Sequence, residues 1–240
     1  TADLRGSKYS PLDQINGTNF SKMEVAWRLK TDNFGPRPET KLEGTPIMVK
    51  GMVYATAGTR RAVVALNAST GEIKWTYSMD EGERATRWAP RQLSGRGLSY
   101  WTDGKGDDRV VFVSIGYRLV ELNAKTGRPI PGFGKDGMVD LKEGVVIGKD
   151  KQIDLENGEI GLHSTPTLVG DVAIIGSSMA EGLGYRYSTG WAKGQKVYFA
   201  ARFSQPINRH LFIDDSIHTD KQAFGPLTKI LLHFNSSSTL

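Results

Sequence analysis

Two segments of the chain repeat each other closely, at a spacing that restricts the possible folds. Residues 66–71 read Leu-Asn-Ala-Ser-Thr-Gly and residues 122–127 read Leu-Asn-Ala-Lys-Thr-Gly, so the two copies begin 56 residues apart. An apolar run, a glycine and a second alternating run precede each copy. A period of about 50 residues is typical of folds in which one supersecondary unit is repeated and stacked. The repeat therefore predicts a row of similar units.

A second repeat marks where each unit begins. Residues 44–49 read Gly-Thr-Pro-Ile-Met-Val and residues 164–169 read Ser-Thr-Pro-Thr-Leu-Val, and each is followed by a short turn and another apolar run. This pattern predicts a strand, a turn and a strand. The Asn-Ala-x-Thr-Gly segment adds a turn in which glycine accepts a positive φ. Each unit then contains four short antiparallel strands, as in a β-propeller blade. A β-sandwich with a fortuitous repeat is the structural alternative.

Composition supports an all-β chain and excludes several kinds of site. Glycine accounts for 28 of the 240 residues, which fits many tight turns. Apolar residues do not recur with a sustained period of 3.6, so long helices are not predicted. The chain has no cysteine, so disulfides, thiolate metal sites and cysteine nucleophiles are excluded. The net charge of +5 is spread among residues of both signs, so we expect no nucleic-acid partner. The chain contains no apolar run of about 18 residues, so no transmembrane segment is predicted.

These patterns predict two regions. Residues 1–190 are expected to form part of a propeller, with about two and a half to three blades of four antiparallel strands. The predicted blades cover about 24–78, 92–133 and 160–190, and the polar stretch from 135 to 159 is expected to be an irregular excursion between blades. Residues 191–240 lack the repeat and are expected to be a divergent tail that results from truncation or a frameshift.

Several motifs resemble those of the pyrroloquinoline quinone (PQQ)-dependent dehydrogenases, the quinoprotein alcohol and glucose dehydrogenases. Residues 68–75, Ala-Ser-Thr-Gly-Glu-Ile-Lys-Trp, resemble the tryptophan docking motif of that family. The opening Tyr-Ser-Pro-Leu-Asp-Gln-Ile-Asn at 9–16 and the stretches 43–46 and 95–101 are similar to further family motifs and occur in the same order. The resemblance covers about residues 7–189. It implies the amino-terminal portion of a propeller that has eight blades in the family.

The resemblance also implies a function. Family members are oxidoreductases that act on CH–OH donors, oxidising an alcohol or an aldose sugar with PQQ and Ca²⁺ as cofactors. A quinone or cytochrome c accepts the electrons, and a periplasmic location is implied. Some members carry adjacent cysteines that form a disulfide ring over the quinone, so their absence here favours a sugar or polyol over methanol as the substrate.

Five residues are expected to belong to the cofactor site by this resemblance. Arg96 is the predicted catalytic residue, because a guanidinium that faces the quinone oxygens stabilises the developing negative charge. Glu43 and His163 hold equivalent places in the Thr-Pro repeat and are expected to bond to polar edges of PQQ. Ser178 is expected to bond to a cofactor carboxylate, and Glu181 is the expected Ca²⁺ ligand, one of the six to eight oxygens that this ion takes.

A ring of eight blades needs several hundred residues, so we expect this chain to be an incomplete and inactive fragment of such an enzyme. Two to three open blades leave an exposed strand edge and an unpaired apolar face, which predicts marginal stability. The alternative function is a non-catalytic propeller of the same repeat type that acts as a protein-interaction scaffold. Arg96 in Arg-Gly-Leu-Ser-Tyr and the Tyr-Ser-Pro-Leu opening favour the dehydrogenase.

Overall fold

The computed structural model describes residues 12–40, 42–90, 92, 95, 97–147, 151–162 and 165–179, with the backbone of two later strands. Helical structure in this part of the chain is limited to a 3₁₀ turn at Phe20–Lys22 and the five-residue helix α1 at Gly82–Thr86. No helix among these residues has the length and apolar character needed to cross a membrane. The expectation of an all-β chain is therefore confirmed.

The first sheet is a four-stranded antiparallel meander in the order β1-β2-β3-β4. Its strands are β1 (Ile47–Val49), β2 (Met52–Ala57), β3 (Ala62–Asn67) and β4 (Ile73–Tyr77). The Asn-Ala-x-Thr-Gly segment forms the β3–β4 turn, where the Asn67 side-chain oxygen accepts hydrogen bonds from the amides of Ser69 and Thr70 at 2.9 and 3.0 Å. This local bonding explains why the repeat contains asparagine at that position.

The second sheet repeats this arrangement in the order β5-β6-β7-β8. Its strands are β5 (Ser99–Thr102), β6 (Asp108–Val113), β7 (Arg118–Asn123) and β8 (Met138–Asp140). Asn123 caps the equivalent turn by accepting from the amides of Lys125 and Thr126. The fourth strand lies beyond residue 133, inside the stretch for which the sequence predicted an irregular excursion. A short pair, β9 (Val146–Ile147) with β10 (Lys151–Gln152), lies in the same stretch.

The third sheet has two short strands side by side on one partner. Strands β11 (Ile160–Leu162) and β12 (Thr167–Val169) both pair antiparallel with β13 (Val172–Met179). Strands β14 (Tyr198–Arg202) and β15 (Leu211–Ile213) complete the order. Both of these last strands come from the segment 191–240, which the sequence predicted to be a divergent tail.

The sheets stack face to face, and this stacking buries their central strands on both faces. All five residues 62–66 of β3 are at most 2% exposed. Val63 and Ala65 pack with Val110 and Phe112 of the second sheet. Val64 and Leu66, on the opposite face, pack with the segment around Trp27. A strand that is apolar on both faces is typical of a sheet covered on both sides.

The two tryptophans at equivalent chain positions dock on the Asn-Ala-x-Thr-Gly turns. The Trp27 ring nitrogen donates to the carbonyl of Ala68 at 2.9 Å, and that of Trp75 donates to the carbonyl of Ala124 at 2.9 Å. A Cβ at the turn glycine would lie 2.6 Å from the Trp27 ring at Gly71. Each glycine of the repeat therefore makes room for an indole from the preceding unit.

Candidate functional site

Three strands, one from each sheet, begin at one place. Strands β1, β5 and β12 each begin two residues after one of three residues, Thr45, Gly97 and Thr165. Thr45 and Gly97 form a parallel bridge. A Cβ built on Gly97 would lie 3.2 Å from the Thr45 carbonyl oxygen and 3.6 Å from the Thr165 hydroxyl oxygen. Side chains and backbone from three separate units therefore converge at this end of the sheets, which we call the entry face.

Glycine at position 97 is required by both conformation and space. Its φ of 121° is a value that residues with a side chain rarely adopt. The residue is buried between two neighbouring units, so a methyl group would press on backbone atoms that cannot move independently. The strand-entry cluster is defined by the following residues that meet around this glycine: Gly44, Thr45, Gly97, Ser99, Thr165 and Pro166.

A hydrogen bond closes the cluster on the side of the third sheet. The Ser99 hydroxyl donates to the carbonyl oxygen of Pro166, which is buried. Strands β5 and β12 also lie side by side. The entries of the second and third sheets are thus tied together by a hydrogen bond between Ser99 and Pro166.

Thr56 is a polar residue of this region that the sequence did not single out. It is 4% exposed, and within the described part of the chain its hydroxyl oxygen has no hydrogen-bond partner. A Cβ on Gly44 would lie 2.9 Å from that oxygen. An unsatisfied buried hydroxyl is costly, and such groups are often satisfied by a bound molecule or water. The only signal in the sequence is one threonine in an otherwise apolar strand.

Glu43 is the predicted site residue whose surroundings are described. It is half-buried and directly precedes Gly44 of the strand-entry cluster. Arg96 and His163 lie outside the described residues, as does Glu181, and Ser178 is described only by its backbone in β13. The residues that flank Arg96 in the chain, Gly95 and Gly97, lie on the entry face.

The strand pairing is irregular at the place where His163 falls in the sequence. Leu162 stands opposite Ser177, whereas Thr167 stands opposite Ile174. The chain has four residues between these two positions, where β13 has two. Such interruptions are common beside binding sites, where they redirect the chain. The irregularity lies immediately before Thr165 of the strand-entry cluster.

Buried ionic groups hold the entry face together between the first two sheets. The Glu81 carboxylate accepts hydrogen bonds from the Ser114 hydroxyl at 2.9 Å, from the Gly116 amide at 2.8 Å and from the Arg118 guanidinium. Arg84, which is 1% exposed, donates to the Gly116 carbonyl at 2.6 Å and forms an ion pair with Asp140. These contacts fix α1, which follows β4, against the β6–β7 turn and β8 of the second sheet.

A second buried arginine, Arg61, lies closer to the cluster. Its guanidinium donates to the carbonyls of Val113 and Ser114, both at 3.0 Å. Burial lowers the pKa of Arg61 to about 10, opposed by the nearby carboxylates of Glu81 and Glu39. A cavity of about 280 Å³ adjoins this arginine, lined by residues that include Thr59, Arg60, Glu81 and Gln92.

The described side chains do not form a metal-binding site. Among them, no group of three or more His, Asp or Glu residues is close enough to hold a metal ion. The predicted Ca²⁺ ligand Glu181 lies outside this part of the chain.

Known proteins resemble this chain over most of its length. The family model of the PQQ glucose/ethanol/alcohol dehydrogenase β-propeller domain matches residues 1–197. The dehydrogenase subunit of the alcohol dehydrogenase (quinone) of Gluconobacter oxydans is 39% identical over 123 residues, which cover 50% of this chain and 14% of that protein. Quinoprotein glucose dehydrogenase of the same organism is 27% identical over 213 residues, covering 82% of this chain and 25% of that protein.

Solved structures agree with the sequence matches. Quinohemoprotein alcohol dehydrogenase from Comamonas testosteroni superposes with a TM-score of 0.59 at 25% identity, covering 85% of this chain and 25% of that one. A europium-containing methanol dehydrogenase has the same fold, with a TM-score of 0.54 at 20% identity. The superposition covers 85% of this chain and 29% of that one. The expected β-propeller architecture is thus confirmed, and the chain spans about a quarter or less of the length of the curated relatives described above. The chain belongs to the PQQ-dependent glucose, ethanol and alcohol dehydrogenase family, within its β-propeller domain.

Proposed function

We propose that the strand-entry cluster is part of a PQQ site, and that the protein to which this portion corresponds oxidises an alcohol or a sugar. The observation that carries the proposal is that the segments leading into β1, β5 and β12 converge at Gly97. Glu43 lies beside them, and Arg96 is next to this glycine in the chain. Propeller enzymes bind their ligands where equivalent strands of successive blades approach the axis.

The residues present fit a flat, polar cofactor. Gly44 and Gly97 let the first two units approach each other closely, which brings Glu43 near the residues that flank Arg96 in the chain. The Thr56 hydroxyl, unpartnered within the described residues, supplies a hydrogen-bonding group beside Gly44. Glu43 adds a half-buried carboxylate at the edge of the cluster. A non-catalytic scaffold needs none of these features.

Each residue of the proposed site has a separate task. When bound, PQQ would supply a quinone that accepts a hydride equivalent, which is two electrons and one proton, from the CH–OH carbon of the substrate, while the hydroxyl proton goes to a base. Arg96 provides a permanently charged fork that stabilises negative charge on oxygen. Glu43, His163 and Ser178 hold and orient the cofactor through hydrogen bonds, and Glu181 contributes an oxygen ligand to Ca²⁺.

Electron transfer and location extend the same proposal. Relatives are named as quinone-linked and quinohemoprotein dehydrogenases, so a quinone or a cytochrome c is the acceptor that we propose for the whole protein. A periplasmic location is consistent with delivery of electrons to the respiratory chain. Aldose sugars and polyols are the favoured substrates, because the chain has no adjacent cysteines.

A titration with PQQ and Ca²⁺ tests the proposal. The purified 240-residue chain is expected to bind PQQ saturably, detected by the shift of cofactor absorbance and by calorimetry. Arg96→Ala is expected to weaken binding by at least tenfold, and Glu43→Gln by a smaller factor. Lys125→Ala, in the exposed β7–β8 turn at the other end of the sheet, serves as the control and should leave affinity unchanged. Absence of binding by a chain with native β-sheet circular dichroism would contradict the proposal and favour the scaffold function.

A further inference from the structure

Arg61 bridges three parts of the entry face. It comes from the β2–β3 turn of the first sheet, where it adopts a φ of 51°. Its guanidinium donates to two carbonyls at the end of β6 in the second sheet, at Val113 and Ser114. It also lies against the segment before β5, because a Cβ on Gly95 would be 2.7 Å from its Nε atom.

This placement is unusual for an arginine in a tight turn. Only 2% of Arg61 is exposed, so the charge has been removed from water. Burial of a charged group costs several kcal/mol unless hydrogen bonds and opposite charges compensate. The backbone carbonyls and the nearby carboxylates of Glu81 and Glu39 provide that compensation. A surface turn could be closed by many residues at a lower cost, so stabilisation of the turn alone does not explain Arg61.

The contact with Gly95 suggests a function. Gly95 directly precedes Arg96, and Gly97 of the strand-entry cluster directly follows it. The rigid guanidinium fills the space beside Gly95 that a side chain would otherwise take. The backbone on both sides of Arg96 is thereby fixed, by Arg61 at Gly95 and by the bridge to Thr45 at Gly97.

We propose that Arg61 is a positioning residue for PQQ binding, which acts through Arg96 by fixing the backbone at Gly95. This inference rests on the proposed function, because Arg96 is the residue that it positions. Arg61 itself touches backbone carbonyls and a glycine, and we assign it no contact with the cofactor. Its removal should therefore affect the affinity for PQQ only as long as Arg96 is present.

A double-mutant cycle tests this dependence. PQQ affinity in the presence of Ca²⁺ is measured for the wild-type chain, Arg61→Met, Arg96→Ala and the double variant, with PQQ up to millimolar concentration. Arg61→Met is expected to weaken binding about tenfold in the wild-type background and less than twofold in the Arg96→Ala background. Equal losses in the two backgrounds, or no loss from Arg61→Met alone, would overturn the inference.

A matched variant separates positioning from general loss of stability. Arg84 is also a buried arginine that donates to a carbonyl of the β6–β7 turn, but it contacts Gly116 and Asp140 instead of Gly95. Arg84→Met should lower the melting temperature as Arg61→Met does and change PQQ affinity less than twofold. A comparable loss of affinity in both variants would show a merely structural role.

Hydrogen exchange supplies a readout without cofactor. Arg61→Met should speed exchange of the amides at residues 95–97, whereas Arg84→Met should act mainly at residues 114–118. Unchanged exchange at 95–97 would overturn the inference whatever the affinities show. If the wild-type chain binds no PQQ, the proposed function fails and the role of Arg61 in cofactor binding fails with it. If the wild-type chain binds PQQ but the double-mutant cycle shows no dependence on Arg96, only the inference about Arg61 fails.

Discussion

The junction between the first and second sheets differs from the junction between the second and third. At the first junction, Trp75 of β4 donates to the Ala124 carbonyl, and Tyr54 donates to the same carbonyl at 3.2 Å. The ring centroids of Tyr54 and Trp75 are 6.0 Å apart. The centre of this junction is apolar and aromatic, and its indole and phenol groups bond to the Ala124 carbonyl at one end. The buried charges of Arg61, Glu81 and Arg84 lie at the other end, on the entry face.

The second junction contains buried charge in place of a docked tryptophan. The residue four positions after the turn glycine is Trp75 in the first copy of the repeat and Pro131 in the second. Arg109 there donates to Glu121 at 2.8 Å, with the guanidinium 4.9 Å above the ring of Trp101. Apolar residues from the stretch after the turn complete this interface; those that are buried are Phe133, Val139, Leu141, Val145 and Ile153.

The comparison shows that one repeat can be packed in two ways. A docked indole requires one tryptophan in one unit and one glycine in the next, so the first junction is specified by a short motif that repeats along the chain. The second junction requires a long connection and an ion pair whose stability depends on burial and pH. We therefore expect the two junctions to respond differently to substitution and to pH.

The largest effect is expected at the docked tryptophan. Trp75→Ala removes the ring from the first junction and leaves the Ala124 carbonyl with one donor fewer. Loss of a large aromatic side chain from a core costs about 3–4 kcal/mol. Urea denaturation monitored by circular dichroism should report this loss in the free energy of unfolding. Trp75→Phe, which keeps a ring and removes the hydrogen bond, should cost about 1 kcal/mol; a loss below 1 kcal/mol for Trp75→Ala would contradict the docking account.

A somewhat smaller effect is expected at the ion pair of the second junction. Arg109→Met leaves the Glu121 carboxyl, which is fully buried, without its cationic partner. Removal of one member of a buried pair costs about 3–5 kcal/mol, and less when the remaining group can become neutral. We expect a loss of about 2–3 kcal/mol at pH 8 and a smaller loss at pH 5, where Glu121 is protonated. Equal losses at the two pH values would contradict this view of the junction.

The fold and the first junction could be predicted from sequence because their determinants are local. Asn67, Gly71 and Trp75 lie within nine residues and form one recognisable motif, and the second copy of the Asn-Ala-x-Thr-Gly turn marks where the indole docks, 49 residues further on. The second junction could not be predicted, since Arg109 and Glu121 lie on neighbouring strands of one sheet and no pattern indicates that they pair.

The candidate site was predicted only in part, for a related reason. Family resemblance singled out Glu43, whose role in the site stays a prediction, whereas the buried Thr56 and Arg61 were not singled out. A threonine in a strand and an arginine in a turn usually face solvent, and their burial depends on how separate sheets approach one another.

The pH dependence of the free energy of unfolding should distinguish the two junctions without a change in side-chain volume. Burial raises the pKa of Glu121 from 4.5 to about 7, although the hydrogen bond from Arg109 opposes the shift. Between these pH values the unfolded chain releases the proton that the folded chain retains. The free energy of unfolding contributed by Glu121 is therefore highest below pH 4.5 and falls as the pH rises to about 7, by about 3 kcal/mol.

Glu121→Gln isolates this contribution, because it removes the titrating group and keeps its shape. The difference in stability between the wild-type chain and this variant should change across pH 5–8, measured by urea denaturation at constant ionic strength. The difference between the wild-type chain and Trp75→Phe should stay constant over the same range. A pH-independent difference for Glu121→Gln would show that the carboxyl is ionised throughout.

The smallest effect is expected at the exposed end of the second junction. The Trp101 ring nitrogen donates to Asp171 at 3.3 Å in an exposed position. Trp101→Phe removes this bond and keeps a ring beneath Arg109, so the loss should be about 0.5 kcal/mol or less. A thermal melt is sufficient to compare it with Trp75→Phe. A larger loss for Trp101→Phe would reverse the order of the two junctions.

The central claim is that the entry face, and not the opposite end of the sheets, receives PQQ. Hydrogen–deuterium exchange of the chain with and without PQQ and Ca²⁺, read by mass spectrometry, tests it most directly. The account predicts that PQQ slows exchange at residues 43–45, 95–99 and 165–167. Exchange in the turns at 67–71 and 123–127, at the opposite end, should stay unchanged. Protection of these two turns instead, or no change in a chain to which PQQ binds, would contradict the account.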